Sequence, residues 1–384
     1  MEPLLMLIFW SAMLALFYTY AGYPLVIAIL ARRRVSVARC NITPIISVVI
    51  AARNEASRIG QRLENLVNQA YPGDRVEIIV VSDGSTDQTN AVVTAYADKG
   101  VTLIETGMEV GKAAAVNVGV AAAHGEIIVF ADARQRFAED VLMRLVANFN
   151  DEKVGCVSGE LLLVADGSSS IEAEMGAYWR YEKWLRKNES DSGSTVGATG
   201  AIFAIRRHLF QPLPNGTILD DLLTPLNVVR QGYRSVFDSS AVAYDSFSKD
   251  AKSEWCRKVR TLSGNWQLLS LKPDLLLPWK NPLFFRFVSH KLLRLVMPAV
   301  LLIALITSLM LQGLTYRVAA AVQVTLYGAA IVGLLLPNSF CNRFMNLCKF
   351  FLLMNAATVS GFWHWMRGRT EGVWVSSDAD LRRL

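Results

Sequence analysis

Polar residues that could carry chemistry follow short apolar segments at several separate points of the chain. Asn54 and Glu55 follow the first segment, Asp83 follows the second and Asp132 the fourth, while Asp220-Asp221 opens a later helical segment. A carboxylate can take a proton from an attacking hydroxyl, and carboxylates also bind divalent cations. A single acidic residue at such a place is usually a helix cap. Several at successive strand ends, over one rim, are harder to explain as caps and favour a functional site.

The segments before these residues alternate with stretches of helical spacing. Apolar residues, many of them β-branched, occupy four short runs (45–52, 77–82, 101–105 and 126–131), and helical patterns occupy the stretches between them. This alternation predicts an α/β fold whose sheet is mostly parallel and is covered by helices on both faces. Ligands bind such sheets at the carboxyl ends of the strands, where the polar residues lie.

Charge-free runs at both ends of the chain predict membrane helices. They cover residues 3–31, 295–316, 318–342 and 350–366, and about 20 apolar residues suffice for one crossing. The first run begins after Glu2 and not after a basic stretch, so we interpret it as a retained helix and not a cleaved signal peptide. Arg32, Arg33 and Arg34 then place the following domain in the cytoplasm.

The number of crossings conflicts with the charge of the tail. Four crossings would put the tail outside, whereas the basic residues near the end favour the inside (Arg367, Arg369, Arg382 and Arg383). Either the last run lies flat on the membrane or one region holds another crossing.

Composition narrows the class of protein. The chain has 384 residues, of which 52% are hydrophobic and 19% are charged, and its net charge is +6. These values exclude disordered, collagen-like and coiled-coil chains. The basic clusters flank apolar runs, which favours contact with membrane lipids over nucleic acid. The five cysteines form no Cys-x-x-Cys pair, so neither a disulfide framework nor a zinc site is indicated.

An ordered set of motifs resembles the membrane-integrated family 2 glycosyltransferases, which include cellulose, chitin-oligosaccharide, poly-N-acetylglucosamine and hyaluronan synthases. The resemblance covers residues 45–267. The motifs are Ala-x-Asn-Glu at Ala52, Asn54 and Glu55, Asp-Gly-Ser-x-Asp at Asp83 and Asp87, Gly-Lys-Ala at Lys112 with Asn117, Asp132, Thr199-Gly200-Ala201, and Asp220-Asp221.

The resemblance implies an α/β GT-A fold with flanking transmembrane helices and amphipathic interface helices. It also implies inverting transfer from a nucleotide-sugar donor. Asp221 matches the catalytic base with Asp220 beside it, although the pair could instead be a helix N-cap. The residues that the resemblance assigns to the donor nucleotide are Ala52, Asn54, Glu55, Asp83, Lys112 and Arg134.

Two departures from the family pattern concern the metal and the acceptor. Asp132 matches the first carboxylate of the Asp-x-Asp metal motif, but Arg134 occupies the third position. Mg²⁺ or Mn²⁺ therefore has one ligand fewer, and the guanidinium could brace the diphosphate. In place of the family's Gln-x-x-Arg-Trp element the chain has Arg257 through Arg260 to Thr261, so Gln and Trp are missing.

Processive synthesis is the property that this second departure weakens. Trp266 could supply the sugar-stacking face one turn later, or Trp255 and Trp266 could simply anchor an amphipathic helix at the membrane. The residues that we expect to contact the acceptor are Thr199, Gly200, Ala201, Arg257, Arg260 and Trp266.

These observations predict a multi-pass enzyme of the bacterial plasma membrane. We expect a transmembrane helix at 1–31, a cytoplasmic GT-A domain at 32–250, interface helices at 251–294, about three membrane helices at 295–366 and a tail at 367–384, with a further interface helix at 170–187. A UDP-sugar would be built into a β-linked exopolysaccharide. The alternatives are transfer of one sugar to a lipid carrier or glycolipid, and an inactive scaffold or transporter.

Overall fold

The computed structural model describes residues 1–164, 170–246, 251–336 and 341–368. Its strands are β1 (Ile46–Ala52), β2 (Val76–Ser82), β3 (Val101–Glu105), β4 (Ile127–Ala131), β5 (Arg136–Phe137), β6 (Val154–Val164), β7 (Ile202–Arg206) and β8 (Arg234–Ser246). They form one sheet in the order β3-β2-β1-β4-β7-β6-β8-β5. The four strands predicted from the sequence are present within one residue at each end.

The helices are α1 (Glu2–Ala31), α2 (Ala56–Val67), α3 (Thr89–Thr94), α4 (Lys112–Ala122), α5 (Val141–Ala147), α6 (Ser170–Asp191), α7 (Asp220–Arg230), α8 (Ala251–Leu271), α9 (Phe284–Met310), α10 (Leu314–Leu335) and α11 (Arg343–Met366). α1 contains a π-helical turn at Tyr18–Gly22. The predicted interface helix at 170–187 corresponds to α6.

The sheet is parallel in its first half and mixed in its second half. β1 pairs in parallel with β2 and β4, and β3 pairs in parallel with β2. β7 then runs antiparallel to both β4 and β6, which interrupts the parallel pattern. The carboxyl ends of the first four strands therefore share one edge, as the sequence predicts.

Both faces of β1 are buried, which explains its uninterrupted apolar run. Ile46, Val48 and Ile50 pack in the core on the side of α2, while Val49 faces α4. α4 lies close to the sheet because Gly119 has no side chain there. A Cβ at Gly119 would lie only 2.5 Å from Cγ1 of Val49.

Within the described ranges, three helices are long and apolar enough to cross a membrane: α1, α9 and α10. α1 packs on both of the other two. Phe9 contacts Tyr316 edge to face with ring centroids 5.0 Å apart, and the Tyr18 hydroxyl lies 2.7 Å from Oγ of Ser289. The N-terminal helix and the C-terminal helices therefore form one bundle.

α11 lies along α8. Trp365 stacks on Trp266 with ring centroids 5.8 Å apart, and its Nε1 donates to Oγ of Ser270 at 3.2 Å. A Cβ at Gly361 would lie 2.9 Å from the backbone N of Ser263, so the two helices touch there. The alternative in which the last run lies flat on the membrane stays a prediction. The tail residues Arg369, Arg382 and Arg383 lie outside the described residues.

A buried ionic cluster joins the sheet domain to the helix bundle. Glu189 of α6 accepts a hydrogen bond from the Tyr23 hydroxyl at 2.5 Å and lies 2.7 Å from Nδ1 of His290. Nε2 of His290 lies 3.1 Å from Glu182, which also pairs with Arg294. Burial alone would raise the pKa of Glu182, but the positive charge of Arg294 and His290 holds it well below its usual range.

We expect Gly361→Val to destabilise the α8–α11 pair. The added side chain would meet backbone atoms of Leu262 and Ser263, and overpacking of this kind costs about 1–3 kcal/mol. The thermal unfolding midpoint of the detergent-solubilised protein should fall. Gly328→Val in α10 is the matched control, because nothing lies within 4 Å of that position. Equal midpoints for the two variants would contradict the contact.

Candidate active site

The ends of β1 and β2 are locked together at the predicted edge. The backbone N of Asp83 donates to the carbonyl of Ala52 at 2.8 Å. Asn54 has a φ of +52°, a left-handed conformation that asparagine tolerates better than most residues. Its side-chain oxygen accepts from the backbone N of Thr86 at 2.8 Å. The Ala-x-Asn-Glu and Asp-Gly-Ser motifs therefore form one rigid unit.

Glu55 lies in this unit with little exposure to solvent. Its backbone N donates to Oγ1 of Thr89 at 2.8 Å, and Asp87 accepts from the backbone N of Ala56 at 3.1 Å. Burial raises the pKa of Glu55 to about 7, although Arg58 and Arg134 act in the opposite direction. The acid is thus held beside the predicted donor site in a poorly solvated position.

Asp83 is fully buried and holds the loop in front of α4. Its two carboxylate oxygens accept from the backbone N of Val110 at 2.7 Å and of Gly111 at 2.9 Å. Gly84 lets this loop approach, since a Cβ there would lie 2.7 Å from the backbone N of Glu109. The carboxylate shapes the loop, and direct donor contact by Asp83 stays a prediction.

Lys112 forms the centre of a charged cluster. Its Nζ lies 3.2 Å from Oδ1 of Asp132, at the end of β4, and 3.4 Å from Oδ2 of Asp220, at the start of α7. Burial would lower the pKa of Lys112, but Asp132 and Asp220 raise it above its usual value. Two motifs separated by 88 positions in the chain thus meet at one ammonium group.

Asp220 and Asp221 lie in the first turn of α7 and do not cap it. The N-cap position is Leu219, and no side-chain capping bond is formed. Burial raises the pKa of Asp221 to about 6, and the negative charge of Asp220 adds to this effect while Lys112 opposes it. The structure therefore does not support the alternative in which this pair is only an N-cap.

The Thr199-Gly200-Ala201 motif packs against Asp221. A Cβ at Gly200 would lie 3.0 Å from Oδ2 of Asp221, so glycine leaves room for the carboxylate. Thr199 is fixed by two further residues. Its backbone N donates to Oγ of Ser158 at 2.9 Å, and Arg186 donates to its Oγ1 at 2.9 Å.

Arg186 is a site residue that the sequence did not indicate. It belongs to α6, whose pattern suggested only an interface helix, and its charge also opposes the raised pKa of Asp221. The only signal in the sequence was a basic residue within an amphipathic stretch, which is common on solvated helix faces.

Arg134 is turned toward the sheet. It pairs with Asp245 of β8, which also accepts from Nε2 of Gln135 at 3.0 Å. Its side chain remains 36% exposed at the edge that carries the site. The predicted contact with a diphosphate stays a prediction, and it would compete with Asp245.

α8 presents its predicted acceptor residues in different directions. Burial lowers the pKa of Arg260, while Asp220 and then Asp132 act against that change, so its guanidinium lies near the charged cluster. Arg257 pairs with Glu254 at 3.7 Å on an exposed side of the helix. Trp266 faces α11, where Trp365 stacks on its ring. The acceptor roles of these three residues stay predictions.

The described residues offer few metal ligands. Within them, no group of three or more His, Cys, Asp or Glu side chains is placed to hold a metal ion. Asp132 faces the cluster, whereas Arg134 replaces the second acid of the motif. Mg²⁺ commonly binds one or two carboxylates together with substrate phosphates and waters. Asp132 therefore fits a cation that arrives with a diphosphate, but not a metal site made of protein ligands alone.

Comparison with known proteins agrees with this geometry. Residues 47–213 match the family described as Glycosyl transferase family 2. The protein named "Probable glycosyltransferase YdaM" of Bacillus subtilis is 28% identical over 232 residues, which cover 58% of this chain and 55% of that protein. The beta-monoglucosyldiacylglycerol synthase of Nostoc is 36% identical over 118 residues, which cover 30% of this chain and 25% of the synthase. The matched part of this chain thus spans about half, or less, of the length of these relatives.

The fold has a solved counterpart. The mannosyltransferase PcManGT of Pyrobaculum calidifontis, solved with GDP-Man and Mn²⁺, superposes with a TM-score of 0.70 over 94% of this chain and 99% of its own length, at 24% identity. This likeness establishes the α/β GT-A fold together with its associated helices. Residues 47–213 therefore match the family 2 glycosyltransferases in sequence, lie within a GT-A fold and are flanked by apolar helices.

Proposed function

We propose that the chain transfers a sugar from a nucleotide-diphosphate donor to a hydroxyl group on an acceptor held at a membrane, with inversion at C1 of the sugar. The observation that supports this most is the placement of Asp221 beside the Lys112–Asp132–Asp220 cluster, within a family 2 domain. The Asp221 carboxylate can accept a proton, and the Lys112 ammonium can offset the charge of a diphosphate.

Asp221 is suited to act as the general base. A pKa near 6 leaves it mostly ionised at neutral pH and makes it a stronger base than an ordinary aspartate. The acceptor hydroxyl gives its proton to Asp221 while its oxygen forms a bond to C1. The bond from C1 to the phosphate oxygen breaks on the opposite side, and the nucleoside diphosphate leaves with the electron pair.

The leaving diphosphate needs positive charge around it. Lys112 is already positioned by two carboxylates, and the Arg260 guanidinium lies near the same cluster. Asp132 would hold Mg²⁺ or Mn²⁺ that arrives with the donor, and such a cation neutralises charge that develops on the diphosphate. Fixed charges in a poorly solvated site stabilise the transition state without further reorganisation.

The donor nucleotide would lie over the ends of β1 and β2, where Ala52, Asn54, Glu55 and Asp83 form one unit. A UDP-sugar is the donor that the sequence resemblance implies. The backbone around Asn54 and the loop held by Asp83 are rigidly hydrogen-bonded, which supports a preformed pocket.

A lipid-linked acceptor is favoured over a growing polysaccharide. Thr261 replaces the tryptophan of the family's processive element, and one face of Trp266 is covered by Trp365. The Nostoc relative is named for a glycolipid product. The β-linked exopolysaccharide remains the second candidate, because three apolar helices accompany the domain. An inactive scaffold is disfavoured. Placing two carboxylates side by side in a poorly solvated position costs stability, and a scaffold would gain nothing in return.

The arrangement of the helices supports a membrane topology. We place α1, α9 and α10 across the plasma membrane with the catalytic domain on the cytoplasmic side, after Arg32. With α11 lying along α8, three crossings return the chain to the cytoplasm. The positive charge of Arg367 then lies on the side that basic residues prefer.

The base assignment is tested with full-length protein in lipid nanodiscs, supplied with UDP-sugars, GDP-mannose for comparison, and Mg²⁺ or Mn²⁺. Asp221→Asn should lower kcat by about 10²- to 10⁴-fold, because general-base catalysis of that size is lost. In the unaltered protein, kcat/KM should rise with pH up to about 6 and then level off. Asp98→Asn, which removes an exposed carboxylate before β3, should leave the rate unchanged. Full activity of Asp221→Asn would refute the assignment.

The acceptor class is tested by the product of the same reaction. A small product that extracts into organic solvent supports lipid glycosylation, whereas a high-mass, water-soluble product supports polysaccharide synthesis. Both products should be absent from Asp221→Asn. If the folded protein turns over no donor with added lipid extract, the inactive scaffold becomes the better hypothesis.

The raised pKa of Asp221 also has a consequence for stability. Its folded-state pKa of about 6 exceeds the ordinary value of 3.8, so the folded protein binds more protons between these pH values. Asp221 therefore lowers stability as pH rises through this window, and the penalty is complete above pH 6. Asp221→Asn should raise the thermal midpoint at pH 8 by about 2–8 °C, and the gain should vanish below pH 4. Asp98→Asn should show no such gain, and a lower midpoint for Asp221→Asn at pH 8 would contradict the effect of burial.

A further inference from the structure

A large cavity lies between α1, α6, α8, α9 and α11. Its volume is about 950 Å³, which is the size of a site for a small ligand. Most of its wall is apolar or aromatic and includes Tyr178, Leu262 and Phe350. Two of the helices that bound it, α1 and α9, are long and apolar enough to cross a membrane. The cavity is therefore open to molecules of amphipathic character at the membrane.

The charged residues of the wall are all basic. Arg180, Arg294 and Arg343 line the cavity, and no acidic side chain does so among the described residues. Arg294 is balanced by Glu182 outside the wall. Arg180 and Arg343 make no hydrogen bond or ion pair with side chains of the described ranges. Both side chains are exposed, so their guanidinium groups are accessible to an anion that enters the cavity, and a guanidinium binds a phosphate through two parallel hydrogen bonds.

The cavity lies behind α8 as seen from the active site. Residues four apart share one face of a helix. Lys258 and Leu262 face the cavity side, where the Lys258 ammonium lies 5.8 Å from the Phe350 ring centroid. Arg260 and Gly264 face the other way, and a Cβ at Gly264 would lie 2.9 Å from side-chain atoms of Ile218 and Leu219, just before Asp220. A ligand in the cavity would touch α8 but not the reacting atoms.

We propose that this cavity binds a phosphate-bearing membrane lipid, with the phosphate between Arg180 and Arg343 and the acyl chains against the aromatic wall. The ligand is distinct from the donor and from the acceptor at Asp221, because α8 lies between the two sites. By filling the space behind α8, the lipid holds the helix whose other face carries Arg260. The inference concerns binding and does not require the proposed transfer reaction.

Size and polarity select a lipid over a free ion. Inorganic phosphate would satisfy the two arginines but would leave most of the apolar wall exposed to water, whereas covering that wall with acyl chains is favourable. A phospholipid satisfies both parts of the wall at once. Each basic residue near an anionic headgroup contributes about fivefold in affinity, corresponding to about 1 kcal/mol.

The test measures lipid binding to the full-length protein. Brominated phosphatidylglycerol is titrated into detergent-solubilised protein, with brominated phosphatidylcholine as the neutral comparison, and quenching of tryptophan fluorescence is recorded. Arg180→Gln with Arg343→Gln should weaken phosphatidylglycerol binding about 25-fold, from two contributions of about fivefold each. Arg180→Lys with Arg343→Lys keeps the charge and should remain within about fivefold of the unaltered protein.

Arg32→Gln with Arg33→Gln is the matched control. It removes the same charge from the membrane-proximal end of α1 without altering the cavity wall, so affinity should change less than twofold. An equal loss in this control would show that only bulk surface charge attracts the lipid and would overturn the proposal. So would equal affinity for phosphatidylglycerol and phosphatidylcholine, or displacement of the bound lipid by millimolar inorganic phosphate. Thermal midpoints are compared first, so that loss of binding is not loss of folding.

Discussion

The ammonium of Lys112, held between two carboxylates, is the interaction on which the arrangement of the active site depends. Its Nζ lies 3.2 Å from Asp132 and 3.4 Å from Asp220, and acids placed together in this way need a positive charge among them. This requirement brings together the end of β4, the start of α4 and the start of α7. Burial and the negative charge of Asp220 still raise the pKa of Asp221 to about 6, although Lys112 acts in the opposite direction.

The same rule of paired buried charge governs the junction with the membrane helices. Glu182 and Glu189 of α6 lie on either side of His290 of α9, and Tyr23 of α1 donates to Glu189. Breaking one partner of a buried pair commonly costs about 3–5 kcal/mol, since the other charge is then left unbalanced. α6 therefore links the two parts of the protein. Between these two acids, Arg186 of the same helix donates to Thr199, whose neighbour Gly200 lies against Asp221.

α8 has a comparable double role. One face lies against Ile218 and Leu219 and directs Arg260 toward the acids, while the opposite face and the Trp266 ring lie against α11 and the lipid-sized cavity. In a processive synthase of this family, a tryptophan of this helix would be expected to stack on sugar. Here the aromatic residues of α8 and α11 stack on one another. This difference is the structural reason for favouring a lipid-linked acceptor, which the membrane would present to the enzyme.

The sequence by itself determined the first four strands, the edge that carries the site and the long apolar helices. β1 and β4 were predicted within one residue, and Asp83, Asp132 and Asp221 were predicted at one rim, because residue periodicity and turn residues act over short distances along the chain. Tertiary structure decided which side chains meet. Arg134 pairs with Asp245, 111 positions away, and Arg186 reaches Thr199 from a helix that resembled an interface helix. Trp266 likewise meets Trp365, nearly a hundred positions later. Such contacts depend on how separate elements pack and on which buried charge finds a partner, and no local pattern in one segment records the position of the other.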